Sequence, residues 1–130
     1  MKDLTLSEWR RGNRALATAA DLIASDPEAS ASRAFYAAFH GVSALFALRG
    51  RQFSKHAAVR AAVHRDLVHT GEWPAELGLA YDQVSDLREN ADYGDLKEVS
   101  PAAAQEAVDE ARRILDFVRQ SCPELSAPDR

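Results

Sequence analysis

Six consecutive residues near position 90 combine a permanent cation with groups that can move protons. They are Arg88-Glu89-Asn90-Ala91-Asp92-Tyr93. If this segment is helical, Arg88 falls on the face that the helix would bury. The same face carries Leu77, Tyr81, Val84 and Ala91. Because a guanidinium cannot lose its proton to suit an apolar site, we expect one of two arrangements. Either Arg88 forms an ion pair with Asp92, one turn along the helix, or it faces a cleft or interface where an anion is bound.

A second group of polar residues follows one side of an otherwise apolar segment. Arg33, Tyr36 and His40 recur at helical spacing, opposite a seam of large apolar side chains. That seam consists of Phe35, Phe39, Val42 and Phe46. A helix that is apolar or small nearly all round is usually buried on two sides. The three polar residues therefore either satisfy one another inside the bundle or form a polar seam against another helix or a partner subunit.

Three histidines between residues 56 and 69 fall on different sides of a predicted helix. His56 shares a helical face with Val59, Val63 and Leu67, so we expect it to point inward. His64 and His69 fall away from that face, and we expect them to be solvated. An inward histidine is either a satisfied core residue or a base in a site.

Composition limits the classes of protein that the chain can represent. It has 130 residues, 46% hydrophobic and 28% charged, which indicates one globular domain with a hydrophobic core. The net charge of −4 argues against a broad basic surface for nucleic acids but leaves room for a local basic cleft. The single cysteine, Cys122, excludes an intrachain disulfide. No metal-ligand spacing or glycine-rich phosphate loop is present, so we predict neither a metal nor a cofactor. Without a signal peptide or a membrane-length apolar run, we predict a cytoplasmic location and no membrane association.

Capping residues, prolines and glycines predict five helices joined by short loops. The box Thr5-Leu6-Ser7-Glu8 begins the first helix, which runs to about Ser25. The other predicted helices are Pro27 to Arg49, a third capped by Ser54 and ending near Thr70-Gly71, Pro74 to Tyr93, and Pro101 to about Gln120. Residues 121–130 are polar and contain two prolines, which predicts a flexible tail. The fold class is therefore all-α, an antiparallel bundle of about five helices.

Three motifs in this order resemble those of HEPN-domain proteins. They are Ser32-Arg33-Ala34-Phe35-Tyr36-Ala37-Ala38-Phe39-His40, Ser54-Lys55-His56, and the run from Arg88 to Tyr93. The resemblance extends from about Ser30 to Val118 and implies a HEPN-like helical domain over residues 1–120. It also implies a homodimer. Many such proteins are metal-independent endoribonucleases, often toxins encoded beside a small nucleotidyltransferase antitoxin, and others are noncatalytic partners.

The resemblance also implies a set of site residues. The family pattern is an arginine, a polar residue after it and a histidine a few positions on. Arg88 and Glu89 match its beginning, while Asp92 and Tyr93 stand where the histidine is expected. We therefore predict Arg88, Asp92 and Tyr93 as catalytic residues, and as supporting residues Arg33, Tyr36, His40 and His56. Metal-free RNA cleavage needs a cation at the phosphate and a base for the ribose 2′-hydroxyl. Arg88 would be the cation, Tyr93 would position the substrate or donate a proton, and His40 or His56 would be the base.

Three functions are compatible with these residues. The first is an RNA-cleaving, toxin-like component of a toxin–antitoxin or defence system, held in check by a nucleotidyltransferase that modifies Tyr93. The second is a noncatalytic HEPN subunit whose groove binds a nucleotide, RNA or the nucleotidyltransferase. The third is a structural dimer module of a larger assembly.

Overall fold

Six α-helices and one π-helical segment form the part of the chain that the computed structural model describes, residues 3–93 and 98–126. The α-helices are α1 (Asp3–Leu22), α2 (Pro27–Leu48), α3 (His56–Ala62), α4 (Ala75–Tyr93), α5 (Pro101–Ser121) and α6 (Pro123–Ser126). The π-helical segment Val63–Val68 continues α3 directly. Within these ranges no residue lies in a strand, and the predicted all-α fold is confirmed. None of the described helices is both long and apolar enough to cross a membrane.

Helix α2 is the centre of the bundle, as its composition predicts. It packs against α1, α4 and α5, so nearly every side of it is covered. Phe35 and Phe46 are buried on one side, and Ala37 and Ala44 are buried on another. The helix begins where expected, because the Asp26 carboxylate accepts a hydrogen bond from the Ala29 backbone N–H and proline occupies the first turn. Because α2 is held by three other helices, its half-buried side chains have fixed positions.

Two glycines allow α1 and α5 to approach α2 closely. A Cβ atom at Gly12 of α1 would lie 3.0 Å from the Ala37 carbonyl oxygen and 3.1 Å from the Gly41 nitrogen. A Cβ atom at Gly41 would overlap Cδ2 of Leu115, a buried residue of α5. These positions need glycine because there is no room for a side chain where the helices meet.

A buried hydroxyl also joins α1 to α2, and its removal should measurably destabilise the fold. Ser30 is fully buried and donates a 2.7 Å hydrogen bond to the Ala19 carbonyl oxygen. We expect Ser30→Ala to lower the free energy of unfolding by about 1–3 kcal/mol, because a buried acceptor loses its donor. Urea denaturation measures this change. Ser121→Ala is the matched control, because Ser121 makes the same kind of hydrogen bond, to Phe117, at an exposed position. Equal effects in both variants would contradict the argument.

Two predicted helix N-caps are wrong, and one feature of the third helix was not predicted. Helix α1 begins at Asp3, so Thr5 is buried inside the helix rather than capping it. Ser54 lies too early to cap α3, because Lys55 precedes the first helical residue and provides no side-chain hydrogen bond. The third helix also widens into π-helical geometry at Val63, which no capping signal in the sequence marks.

The first part of the predicted tail is packed against the domain. Residues 123–126 form α6, and both Cys122 and Leu125 are buried in the core. The prediction of a loose tail is therefore wrong for these two residues. Burial of their apolar side chains stabilises the packed position of a segment that is otherwise polar. Residues 127–130 lie outside the described part of the chain, and the boundary at residue 120 stays a prediction.

Candidate functional site

Three aromatic side chains on one side of α2 form a surface against which predicted site residues pack. We call Phe35, Tyr36 and Phe39 the aromatic platform. The Phe35 and Phe39 rings are stacked with centroids 5.8 Å apart, as positions one helical turn apart allow. Tyr36 meets Phe35 edge-on at 5.1 Å and Phe39 edge-on at 6.3 Å. Phe35 is buried, while Tyr36 and Phe39 are half-buried, so the platform reaches from the core to the surface.

Arg88 projects from α4 over this platform. Its guanidinium carbon lies 4.7 Å from the centroid of Phe35 and 5.9 Å from that of Tyr36. A guanidinium within about 6 Å of a ring centroid is attracted by the negative face of the ring. The inward stripe of α4 is confirmed, since Leu77, Tyr81 and Val84 are buried and Arg88 is half-buried. The aromatic rings therefore accommodate a charge on a face that is otherwise apolar.

The side chains of Asp92 and Tyr93 lie outside the described residues, although the α4 backbone extends to Tyr93. The predicted ion pair between Arg88 and Asp92, and the catalytic assignment of Asp92 and Tyr93, stay predictions. Within the described side chains the site is built from α2, α3 and α4.

His56, the first residue of α3, meets the platform from a second direction. Its ring centroid lies 4.6 Å from Phe39, 5.3 Å from Phe35 and 5.7 Å from Tyr36. The prediction that His56 points into the core is wrong, because its side chain is exposed. No preceding helical turn covers the first residue of α3, so the ring rests on the surface end of the platform. Partial burial lowers the pKa of His56 below its ordinary value, and the positive charges of Arg88 and His40 lower it further.

The electrostatic link between Arg88 and His56 predicts a measurable titration change. We expect Arg88→Ala to raise the pKa of His56, because removal of a nearby positive charge makes protonation of the imidazole easier. An NMR titration that follows the ring protons of His56 measures this change in pKa. The ring-proton signals of exposed His69 are the internal control and should be the same in both proteins. An unchanged or lowered His56 pKa would contradict the proximity of the two groups.

His40 and Arg33 border the platform on the side that faces α1. His40 Nδ1 lies 3.1 Å from Glu8 Oε2, a distance at which the ring N–H donates to the carboxylate. The His40 ring stacks on Tyr36 with a centroid distance of 6.1 Å. The Arg33 guanidinium carbon lies 4.8 Å from the Tyr36 centroid. Both residues therefore contact the platform from α2 itself.

The structure brings together all five predicted site residues whose side chains it describes. They are Arg33, Tyr36, His40, His56 and Arg88. Sequence reasoning missed the roles of Phe35 and Phe39, which it assigned only to the core, and of Glu8. The spacing of the two phenylalanines from Tyr36 could have indicated a shared side. Glu8 had no signal, because its contact with His40 joins residues 32 positions apart.

His64 and His69 lie away from the platform, and the prediction for His64 is wrong. His64 Nε2 is 2.9 Å from Asp82 Oδ1, and its side chain is only 33% exposed. The ring packs against Gly78, where a side chain would meet it. His69 is exposed, as predicted. Among the described residues, no three or more His, Cys, Asp and Glu side chains are grouped so that they could hold a metal ion.

Comparison with known proteins places the chain in a family. Residues 6–121 match the HEPN domain. The chain belongs to the HEPN domain family. It is also 32% identical over 126 residues to a UPF0332 protein of Thermotoga maritima, an alignment that covers 95% of this chain and 96% of the relative. The HEPN match runs from within α1 to the end of α5, so every described residue of the platform site lies within the family domain.

Proposed function

We propose that this HEPN protein is an RNA-directed, toxin-like component of a toxin–antitoxin or defence system, and that it cleaves RNA without a metal ion. One observation carries the proposal. Arg88 and His56 come from different helices, yet both contact the rings of Phe35 and Tyr36. A fixed cation beside a histidine with a lowered pKa is a pair suited to transphosphorylation.

The proposed reaction uses each group at a stated atom. Neutral His56 removes the proton from a ribose 2′-hydroxyl, and the 2′-oxygen then attacks the adjacent phosphorus. Arg88 stabilises the additional negative charge on the phosphoryl oxygens. The bond from phosphorus to the 5′-oxygen breaks, and that oxygen takes a proton from Tyr93 or from water. The products are a 2′,3′-cyclic phosphate and a 5′-hydroxyl, so no oxidant, reductant or further reactant is needed.

A lowered pKa suits His56 to the role of base. At neutral pH the imidazole is then mostly unprotonated and able to accept a proton. His40 is the other candidate, but its Nδ1 already contacts Glu8. We therefore assign His56 as the base and His40 as a residue that positions Tyr36.

Cleavage and toxicity assays test the proposal directly. The wild-type protein should cleave a mixed-sequence single-stranded RNA in the presence of EDTA and slow the growth of cells that express it. Arg88→Ala should lose most of both effects. Arg113→Ala, which removes one exposed arginine from α5, is the matched control and should retain them. If wild type and Arg88→Ala are equally harmless and neither cleaves RNA, the ribonuclease proposal fails.

A noncatalytic role is the second candidate, and a specific observation favours it. Asp92 and Tyr93 stand where the family pattern has a histidine. In this alternative the protein binds RNA or a nucleotide, or pairs with a small nucleotidyltransferase, without cleaving RNA. Both candidates include a homodimer, which light scattering during gel filtration would detect. Co-expression with a nucleotidyltransferase followed by mass spectrometry would show whether Tyr93 is modified.

A further inference from the structure

Basic side chains from α1 and α2 converge on a cleft beside the platform. We call it the basic cleft, and its lining residues are Arg11, Arg14, Ala15, Thr18, Arg33 and His40. Its volume is about 270 Å³, and no carboxylate is among these lining residues. Three guanidinium groups and an imidazole around one opening make a site that suits an anion.

The charges of this cleft are less neutralised than those elsewhere on the protein. Within residues 3–93 and 98–126, neither Arg14 nor Arg33 forms an ion pair. Arg11 reaches Glu8 only at 3.9 Å, and Glu8 also contacts His40. Six arginines on other surfaces lie against carboxylates, namely Arg49, Arg51, Arg60, Arg65, Arg112 and Arg119. An acidic protein with a net charge of −4 thus keeps a positive region at this cleft.

The spacing of the arginines on α1 is unfavourable for the helix alone. Arg11 and Arg14 are three positions apart, and Arg10 and Arg14 are four apart, so like charges lie on neighbouring positions of the helix surface. Such pairs destabilise a helix by a few tenths of a kcal/mol, about as much as opposite charges stabilise it. Helix stability does not explain why Arg11 and Arg14 share one side of α1, whereas an anion bound between these two side chains would.

The basic cleft is continuous with the aromatic platform. Arg33 lines the cleft and also lies over Tyr36, whose ring is 5.9 Å from Arg88. His40 lines the cleft and stacks on the same tyrosine. A neighbouring groove of about 320 Å³ shares Arg11 and His40 with the cleft and is lined by Phe39 of the platform. An extended ligand that occupies the cleft and this groove would therefore lie beside Tyr36 and Phe39, the rings that Arg88 and His56 contact.

We propose that the basic cleft binds a backbone phosphate of the RNA, away from the phosphate that reacts at the platform. The identification of the ligand as RNA rests on the proposed function, while the anion site rests on the arginines themselves. A phosphate bound here would hold the strand in register without taking part in the reaction. Arg11 and Arg14 are thus binding residues, outside the catalytic machinery.

RNA binding as a function of salt concentration tests this site. Fluorescence anisotropy would measure the Kd of a labelled single-stranded RNA at several KCl concentrations in EDTA. All proteins would carry Arg88→Ala, so that the RNA stays intact. Each arginine that binds a phosphate of a single strand contributes about 0.7 to the slope of log K against log salt. We expect Arg11→Ala with Arg14→Ala to weaken binding and to reduce the slope by about 0.7 for each arginine that had bound a phosphate.

A control with the same change in charge separates a site from general electrostatics. Arg112→Ala with Arg113→Ala removes two exposed arginines from α5 and should leave both Kd and slope unchanged. An unchanged Kd in the α1 variant, or equally weakened binding in the α5 variant, would overturn the proposal.

Stronger displacement by uridine 5′-monophosphate than by unlabelled RNA would instead assign the cleft to a free nucleotide. If the α1 variant loses binding of polyglutamate but keeps binding of RNA, the cleft would be assigned to an acidic protein. That result would also overturn the proposal.

The cleft and the ribonuclease activity can fail separately. If the protein with intact Arg88 cleaves RNA while binding is independent of Arg11 and Arg14, the cleft is rejected and the activity is retained. If RNA binding depends on these arginines but no cleavage occurs, the activity is rejected and the cleft is retained.

Discussion

His56→Ala should reduce the single-turnover rate of RNA cleavage by roughly 10²–10⁴-fold, the usual contribution of a positioned general base. The expectation follows from the contacts of His56 with all three rings of the aromatic platform and from the lowered pKa that keeps its imidazole unprotonated. RNA affinity should change little, because the phosphate contacts that we propose lie on α1, α2 and α4. A large decrease in rate with a nearly constant Kd would identify His56 as a residue of the chemical step.

The pH dependence of the rate provides an independent check on the same histidine. Below its pKa, His56 carries a proton and cannot accept another, so the rate should fall as pH decreases. Because the pKa is lowered, this acid limb should lie below about pH 6.5, the ordinary value for histidine. The limb should disappear in His56→Ala. His69→Ala, at an exposed position beyond the π-helical segment, is the matched control and should keep both rate and profile.

A different outcome would reassign the base. If His56→Ala retains the wild-type rate while His40→Ala loses it, the proton acceptor is His40, and the contact of His40 with Glu8 becomes part of the mechanism. In that case Glu8→Gln should also reduce the rate, because the carboxylate that orients the His40 ring would be gone.

Much of the fold could be predicted because its signals are local. Asp26 and Pro27 begin α2, and Ser100 and Pro101 begin α5, through contacts within a single turn. The small and apolar residues around α2 likewise predicted a helix covered on two sides. The widening of the third helix at Val63 could not be predicted, because π-helical geometry has no comparable capping residue. Burial of Leu125 depends on a core that is assembled from distant parts of the chain.

The candidate site shows the same division between local and distant information. Arg88 was identified because a charge interrupts an apolar stripe within one helix, and Tyr36 and His40 share a side of another. What sequence reasoning could not establish was that Phe35 would lie beneath Arg88 while also contacting His56. Those contacts depend on how α3 and α4 pack on α2, and residue spacing along one helix carries no information on that packing.

The packing of α5 on α2 should have the largest effect on stability, because it holds the helix that carries the platform. Leu115 is fully buried, and its side chain lies in the notch that Gly41 leaves on α2. We expect Leu115→Ala to lower the free energy of unfolding by about 2–5 kcal/mol, through reduced apolar burial and the cavity that remains. Gly41→Ala should cost about 1–3 kcal/mol, because its methyl group would overlap Leu115 in a tightly packed core. Urea denaturation at constant pH measures both.

The double variant distinguishes a specific notch from general core disruption. With Leu115 truncated, the new methyl group at position 41 no longer overlaps a side chain and partly fills the cavity. Gly41→Ala with Leu115→Ala should therefore cost less than the sum of the single changes, by about 0.5–3 kcal/mol. Ile114 is also fully buried on α5 but does not approach Gly41, so Gly41→Ala with Ile114→Ala should be nearly additive. Equal coupling in both pairs would mean that Gly41 is sensitive to the whole α5 interface rather than to Leu115.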